Sequence, residues 1–335
     1  MEIIKKLSPP KPSVVYDTYW KFAAERMNIF HQRFQHLPAP WTKDPILSEY
    51  KFTNAYRVLD RVSQYLVKNV IPGNQEPKEL FFRILLFKIF NKIETWELLQ
   101  KELGEITFKD YSFDRIDDIL TKAMAKKISV FSGAYMMCSG RSKFGYAQKH
   151  RNYLKMLNIA SHTLPIQLKY KRSLEEVYKS MLRLPMLGEF LAFQFTIDIN
   201  YSSLTDFSEM DFVAVGPGAK DGIRKCFTDY GDYKPADIVK MMADKQEDEF
   251  KRLGLEWKNL FGRPLQLIDC QNLFCETDKY SRVAHPEVQG LQNRTRIKQK
   301  YDINAHTPKL EFSTPSPIEF VFPEKWGLKN NQANS

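Results

Sequence analysis

Asp211 opens a stretch, MDFVAVGPGAKDGIRKCF (residues 210–227), in which a carboxylate precedes a short apolar run, a Gly-Pro-Gly turn and a helix-like segment carrying Arg224 and Lys225. A carboxylate can stabilise developing positive charge or orient a water. A glycine-rich turn entering a helix leaves backbone N–H groups that can hold a phosphate, here through Gly216 and Gly218 with Arg224 and Lys225 beside them. The other reading is that these glycines let two helices pack closely. GPGAKDG lacks the Gly-Lys-Ser/Thr ending of a Walker A loop.

A second dense run is IDCQNLFCETDKYSR (268–282). As a helix it places Asn272, Glu276 and Lys279 near one face. Together with Gln271, Asp278 and Tyr280 this makes a concentration of amides, acids and an aromatic that could read and stack an extruded base. A Glu–Lys pair at helical spacing also suits an ordinary solvated face. Within FTNAYRVLDRVSQYL (52–66), Asn54, Arg57 and Arg61 fall on one helical stripe, with Asp60 able to neutralise either arginine. Arginines on one face can clamp phosphates. Further basic clusters are Lys169, Lys171 and Arg172 around Tyr170, and RTRIKQKY at 294–301. The six histidines and four cysteines (Cys138, Cys226, Cys270, Cys275) show no metal-ligand spacing, so neither a metal nor a cofactor is expected.

These residues must be positioned by helices. The chain has 335 residues, 43% hydrophobic and 13% aromatic, with only 14 glycines, which favours helices over a glycine-hungry sheet fold. Apolar spacing predicts a helix over 14–34 and a long one from Pro45, capped by Asp44, to about Val70. Others are expected near 78–92, 94–103, 114–128, 144–160, 173–182, 188–200, 218–229, 235–252 and 267–283, with a break at Thr163–Gln167. The expectation is an all-α protein of about ten helices in one unit or two lobes. Residues 1–13 are a flexible arm, 14–301 a helical domain with a cleft between halves 14–168 and 169–301, and 302–335 an irregular tail. The net charge of +10 favours a polyanion, DNA first. No apolar run approaches a membrane span and no secretory signal begins the chain, so a cytoplasmic protein is expected.

The segment LRLPMLGEFLAFQF (182–195) reads as helix, tight turn Pro185–Gly188, helix, with turn amides including those of Leu187 and Gly188 free to face DNA. It resembles the hairpin of the helix-hairpin-helix DNA glycosylases, L-P-G-V-G-x-K-x-A. Leu184, Pro185, Gly188 and Ala192 match, and Asp211 stands 23 residues after Gly188, close to the spacing of that family's aspartate. Met186 replaces the first hairpin glycine. Phe190 stands where bifunctional members carry a nucleophilic lysine, which the resemblance translates into a loss of Schiff-base chemistry. The alternative is an ordinary corner between two helices.

Four stretches, YWKFAAER (19–26), LPAPWTKDPILSEYKFTNAYRVLDRVSQYL (37–66), DFVAVGPGAKDGIRKCF (211–227) and QNLFCETDKY (271–280), together resemble the helical domain of 5-hydroxymethyl-deoxyuridine DNA kinases and the related α-glutamyl/putrescinyl thymine pyrophosphorylases. The resemblance implies a helix-hairpin-helix glycosylase-like fold and action on hypermodified pyrimidines of phage-type DNA. On that basis the first expectation is a monofunctional DNA glycosylase, in the setting of anti-phage defence, with Asp211 stabilising the cationic sugar or its attacking water, and Glu276 and Lys279 as further catalytic candidates. A second is a transferase that replaces pyrophosphate on a 5-pyrophosphomethyl pyrimidine with an amine or amino acid. A third is a non-catalytic DNA-binding module.

Overall fold

The computed structural model describes residues 8–135, 137–301 and 320–328. In chain order the elements are β1 (Lys11–Pro12), α1 (Val14–Phe34), α2 (Pro45–Glu49), α3 (Arg61–Tyr65), α4 (Pro77–Phe90), α5 (Ile93–Leu103), α6 (Phe113–Ala125), α7 (Arg141–Phe144), α8 (Lys149–Leu168), α9 (Leu174–Leu182), α10 (Glu189–Asn200), α11 (Pro217–Cys226), β2 (Phe227–Asp229), α12 (Pro235–Arg252) and α13 (Leu267–Ala284). The fold is all-α. The two strands form one short antiparallel pair, Lys11 opposite Asp229 and Pro12 opposite Phe227.

The chain divides into two compact units, crossing between them at Asp60/Arg61 and again at Phe212/Val213. The first unit, residues up to Asp60 and from Val213 to Phe320, holds α1, α2 and α11–α13. Its core is aromatic: Trp20 of α1 lies edge-on to Phe250 of α12, and Tyr19 lies 4.7 Å from Phe274 of α13. The second unit, Arg61 to Phe212 with Val321 to Leu328, holds α3–α10. At its centre lie α4 and α10, each apolar around most of its circumference and buried along almost its whole length, as such helices must be.

Local chemistry explains most boundaries. Ser13 caps α1 through the Val15 N–H, Asp44 caps α2 with Pro45 at the first helical position, and Ser173 caps α9 through the Glu176 N–H. Of the expected arm, residues 1–7 lie outside the described residues. Residues 8–13 are tied down, Lys11 pairing with Asp229 at 3.3 Å and the Ser13 hydroxyl donating to the Lys225 carbonyl. Of the expected tail, 302–319 and 329–335 lie outside the described residues.

Two expectations fail. The long helix from Pro45 to Val70 does not form: α2 ends at Glu49, residues 50–56 run extended, Arg57–Leu59 make a 3-10 turn, and Arg61–Tyr65 passes into a π-helical turn over Leu66–Val70. Other acceptors take the backbone instead, the Thr53 N–H donating to distant Glu276 and the Asn54 N–H to nearby Asp60. The expected break at Thr163–Gln167 is absent, because α8 continues through Pro165 to Leu168. Its two flanking turns hold by packing, with Leu164 and Leu168 buried.

Candidate functional site

In the second unit, α9 and α10 pack against each other across the turn Arg183–Gly188. The Leu184 N–H donates to Met181 and the Leu187 N–H to Leu184, which closes the turn. Met186 sits at φ 75°, the left-handed conformation that a glycine would adopt without strain. The turn therefore keeps the shape a glycine normally supplies although the residue is methionine. Gly140 makes room for it, since a Cβ there would stand 1.9 Å from the Met186 sulfur. Gly188 is the N-cap of α10 and has no side-chain cap. It is exposed, and a Cβ on it would meet nothing within 4 Å. Leu187, expected at a DNA contact, is buried, so the turn offers only its backbone there.

The loop that follows α10 is organised by Asn200, buried at the end of the helix. Its amide donates to the Phe207 carbonyl at 2.9 Å, and its Oδ1 accepts from the Phe207 N–H and the Thr205 hydroxyl. A tight turn follows, with the Met210 N–H on the Ser208 hydroxyl and the Asp211 N–H on the Ser208 carbonyl. Phe212 then plugs between the two hairpin helices, 4.9 Å from Tyr178 of α9 and 5.9 Å from Phe193 of α10. Asp211 is thus held from both sides by its backbone neighbours while its carboxylate is exposed. Among the described residues no hydrogen bond or ion pair engages that carboxylate.

The first unit treats its polar residues differently. α11 crosses α13 at very close range: a Cβ on Gly222 would lie 2.0 Å from the Phe274 carbonyl oxygen, and one on Gly218 3.2 Å from the Cys275 sulfur. The Gly216 N–H donates to Gln271 Oε1 at 3.3 Å. Here the close-packing reading of the glycines prevails. Gln271 is fully buried in that role, and its amide donates to half-buried Asn272. Lys225, expected at a phosphate, lies 3.1 Å from Asp278 Oδ1 with both side chains buried, and donates also to Ser281. Asp278, expected at a base edge, further binds Arg282. Arg294 reaches Asp221 at 2.8 Å and Asp278 at 3.5 Å. Burial obliges each of these charges to find a partner, and that removes Lys225 and Asp278 from any exposed surface. Arg224 stays exposed, its guanidinium donating to the Thr228 carbonyl.

The remaining expected residues of this unit form a second network. Glu276 accepts from the Thr53 N–H and from Lys279, each at 2.9 Å, and the Lys279 ammonium lies 4.4 Å from the centre of the Phe52 ring. The Asn54 carbonyl accepts from Arg26 and its amide donates to Leu59. Tyr280 donates to Asp44 at 2.6 Å, with its ring against Phe22 and Phe52, so it is not a free stacking platform. Arg57 is buried and its N–H donates to Asp269 at 2.8 Å. Arg61, in the second unit, pairs with Glu94 at 2.6 Å. The common stripe expected for Asn54, Arg57 and Arg61 therefore does not exist, because it required the unbroken helix. Burial pushes the Asp60 carboxyl up to about 7, with Glu276 adding to the rise and the Asn54 N–H opposing it. Burial likewise raises Asp269 to about 6.

Sequence reasoning missed a buried constellation in the second unit. Lys88 of α4 lies 2.7 Å from Asp198 of α10, and its ammonium also donates to Asn91. Tyr135 covers it, with the ammonium 4.9 Å from the ring centre and the phenol donating to Gln194 at 3.4 Å. Phe190, in the first turn of α10, meets the Tyr135 ring edge-on at 5.7 Å. A signal was present. Lys88 interrupts the apolar run ILLFKIF, and Gln194 and Asp198 recur four apart inside FLAFQFTIDIN. Polar residues on helices that are apolar all round must meet one another inside. Among the described residues, no group of three or more His, Cys, Asp or Glu is placed to hold a metal ion, and no helix is long and apolar enough to cross a membrane.

Comparison with known proteins agrees with the resemblance read from the sequence. The chain is 27% identical over 327 residues to the 5-hmdU DNA kinase of Bacillus phage SP10, a match covering 92% of this chain and 51% of that protein. The chain thus spans about half the length of that curated relative. No solved structure matches. The family model described as 5-hmdU DNA kinase, helical domain, matches residues 13–290, both units from the cap of α1 to beyond the end of α13, and the chain belongs to that family.

Proposed function

We propose that the protein acts on DNA carrying 5-hydroxymethylated or further modified pyrimidines, and that it is a monofunctional glycosylase which breaks the bond between such a base and its deoxyribose. The observation that carries this reading is Asp211, an exposed acid with no internal partner among the described residues, in a loop fixed by Asn200 and by the Phe212 ring. The phage relative, a 5-hmdU DNA kinase, suggests the base class. The net charge of +10 suits a DNA partner.

In this reading the turn amides at Gly188 and Glu189 face a backbone phosphate, and the target nucleotide rotates out of the duplex to reach the acid. Positive charge develops on the sugar as the glycosidic bond lengthens. The Asp211 carboxylate stabilises that charge and orients the water that attacks the anomeric carbon. The base leaves with its electron pair and takes up a proton, and the products are a free base and an abasic site. Phe190, in place of an amine, leaves no group at that position to form a Schiff base. The setting is DNA in the cytoplasm of a bacterial or phage-infected cell.

The test incubates the protein with hydroxymethylated, glucosylated and unmodified DNA and follows free bases, nucleosides and abasic sites by mass spectrometry. Release of a modified base, reduced about 10²- to 10³-fold in Asp211→Asn with folding unchanged, is the expected result. Pyrophosphate release with a heavier nucleoside and no abasic sites would replace the glycosylase by a group-transfer enzyme.

A further inference from the structure

The junction of α8 and α9 carries the sequence Lys169-Tyr170-Lys171-Arg172, which the glycosidic chemistry does not use. Tyr170 is 77% exposed and Ile166, four residues earlier in the last turn of α8, is 51% exposed. Lys169, Lys171 and Arg172 flank Tyr170 in the chain, and none forms an ion pair among the described residues. The segment is not a loose loop. The Tyr170 N–H donates to Gln167 and the Lys171 N–H to Leu168, both at 3.1 Å. The Arg172 N–H donates to the Glu176 carboxylate and the Ser173 hydroxyl accepts from the Glu176 N–H, which pins the start of α9. Cations at the end of a 20-residue helix offset its dipole, which accounts for charge there but not for an exposed ring among the charges.

We infer that this junction is a binding surface for unpaired DNA, with a base stacked on Tyr170 and Ile166 and the flanking phosphates held by Lys169, Lys171 and Arg172. An aromatic face ringed by unpaired cations is the chemistry that grips a single strand without reading its sequence. A lipid surface would need a broader apolar face than one ring and one isoleucine. The inference rests on the reading that the protein works on DNA. It adds that the protein holds a stretch of strand that is not base-paired.

The experiment measures fluorescence anisotropy of the full chain with a labelled single-stranded oligothymidylate and with a matching duplex, at several salt concentrations. Tyr170→Ala is expected to weaken single-strand binding about tenfold and duplex binding less than twofold, while Tyr170→Phe stays within twofold of the parent. Lys169→Ala combined with Arg172→Ala is expected to lower the slope of log affinity against log salt by about 1.4. Unchanged single-strand binding in Tyr170→Ala, or an equal loss on single strand and duplex, would overturn the inference. So would loss of binding to phosphatidylserine vesicles with single-strand affinity intact. Loss of base release in Asp211→Asn tests the glycosidic reading, and loss of single-strand affinity in Tyr170→Ala tests the junction, so the two failures are read separately.

Discussion

Two glycine-bearing turns lead into helices in this molecule, and they are used in opposite ways. At Gly216-Pro217-Gly218 the first amide is taken by Gln271, the second glycine lies against Cys275, and the cation two turns on, Lys225, is buried on Asp278. At Pro185–Gly188 the helix that follows has no side-chain cap, Gly188 meets nothing, and the acid that comes after, Asp211, is open to solvent. By sequence alone the first looks the better phosphate cradle, since it has more glycine and adjacent basic residues. The difference teaches that such a turn can serve a ligand only where the interior has not already claimed its amides and charges.

The largest effect expected from breaking this contrast is in the second unit's interior. Lys88→Met strands the buried Asp198 carboxylate without its ammonium and should cost about 3 kcal/mol or more in denaturant unfolding. A variant that keeps parental stability would show that the Lys88–Asp198 pair adds nothing net to folding. Next comes Gly222→Ala. Its methyl would meet main chain at Phe274 and force α11 off α13, so a loss of about 3 kcal/mol is expected, read as a lower midpoint at unchanged slope.

A pH series sharpens the description of the first unit's network. Asp60 holds its proton up to about 7 in the folded state against 3.8 ordinarily, so the folded form binds that proton more tightly than the unfolded one. Its contribution to stability is present below about pH 4 and is lost as pH rises to about 7. Asp60→Asn should abolish the decline between about pH 6 and 7 and make it shallower below 6, leaving the part due to Asp269, which runs from about pH 4 to about 6. Denaturant midpoints between pH 4 and 8 for the two proteins decide this. The smallest effect is the counterpart of Gly222→Ala. Gly188→Ala has open space and an extended φ of −83°; alanine's poorer fit at an N-cap and the lower entropy of its unfolded chain oppose each other, so stability should change by only about a few tenths of a kcal/mol. If it weakens DNA binding while stability holds, the turn backbone approaches the strand closely.

Several elements were legible in the residue pattern because their causes are local. α1 runs over the expected 14–34, α12 over 235–252 and α9 from its Ser173 cap. The segment 45–70 was not, because its helical periodicity competes with the distant Glu276 carboxylate, which takes the Thr53 amide, and with the Asp60 carboxylate, which takes the Asn54 amide locally. The same limit applies to the site. Glu276 and Lys279 do meet, as their spacing implied, but they are also tied to Thr53 and Phe52, which spacing cannot show.

What the amino-acid sequence determined by itself is the helical class, the caps at Asp44 and Ser173, the turn between α9 and α10, and Asp211 as an acid placed after it. These follow from periodicity and from contacts within a few residues. Only the tertiary structure decided which polar groups are spent on the interior. Lys225, Asp278, Gln271 and Arg57 are buried and Asp211 is not. Whether a charge faces water or a partner depends on which distant helix lies against it, and that is settled when the helices pack.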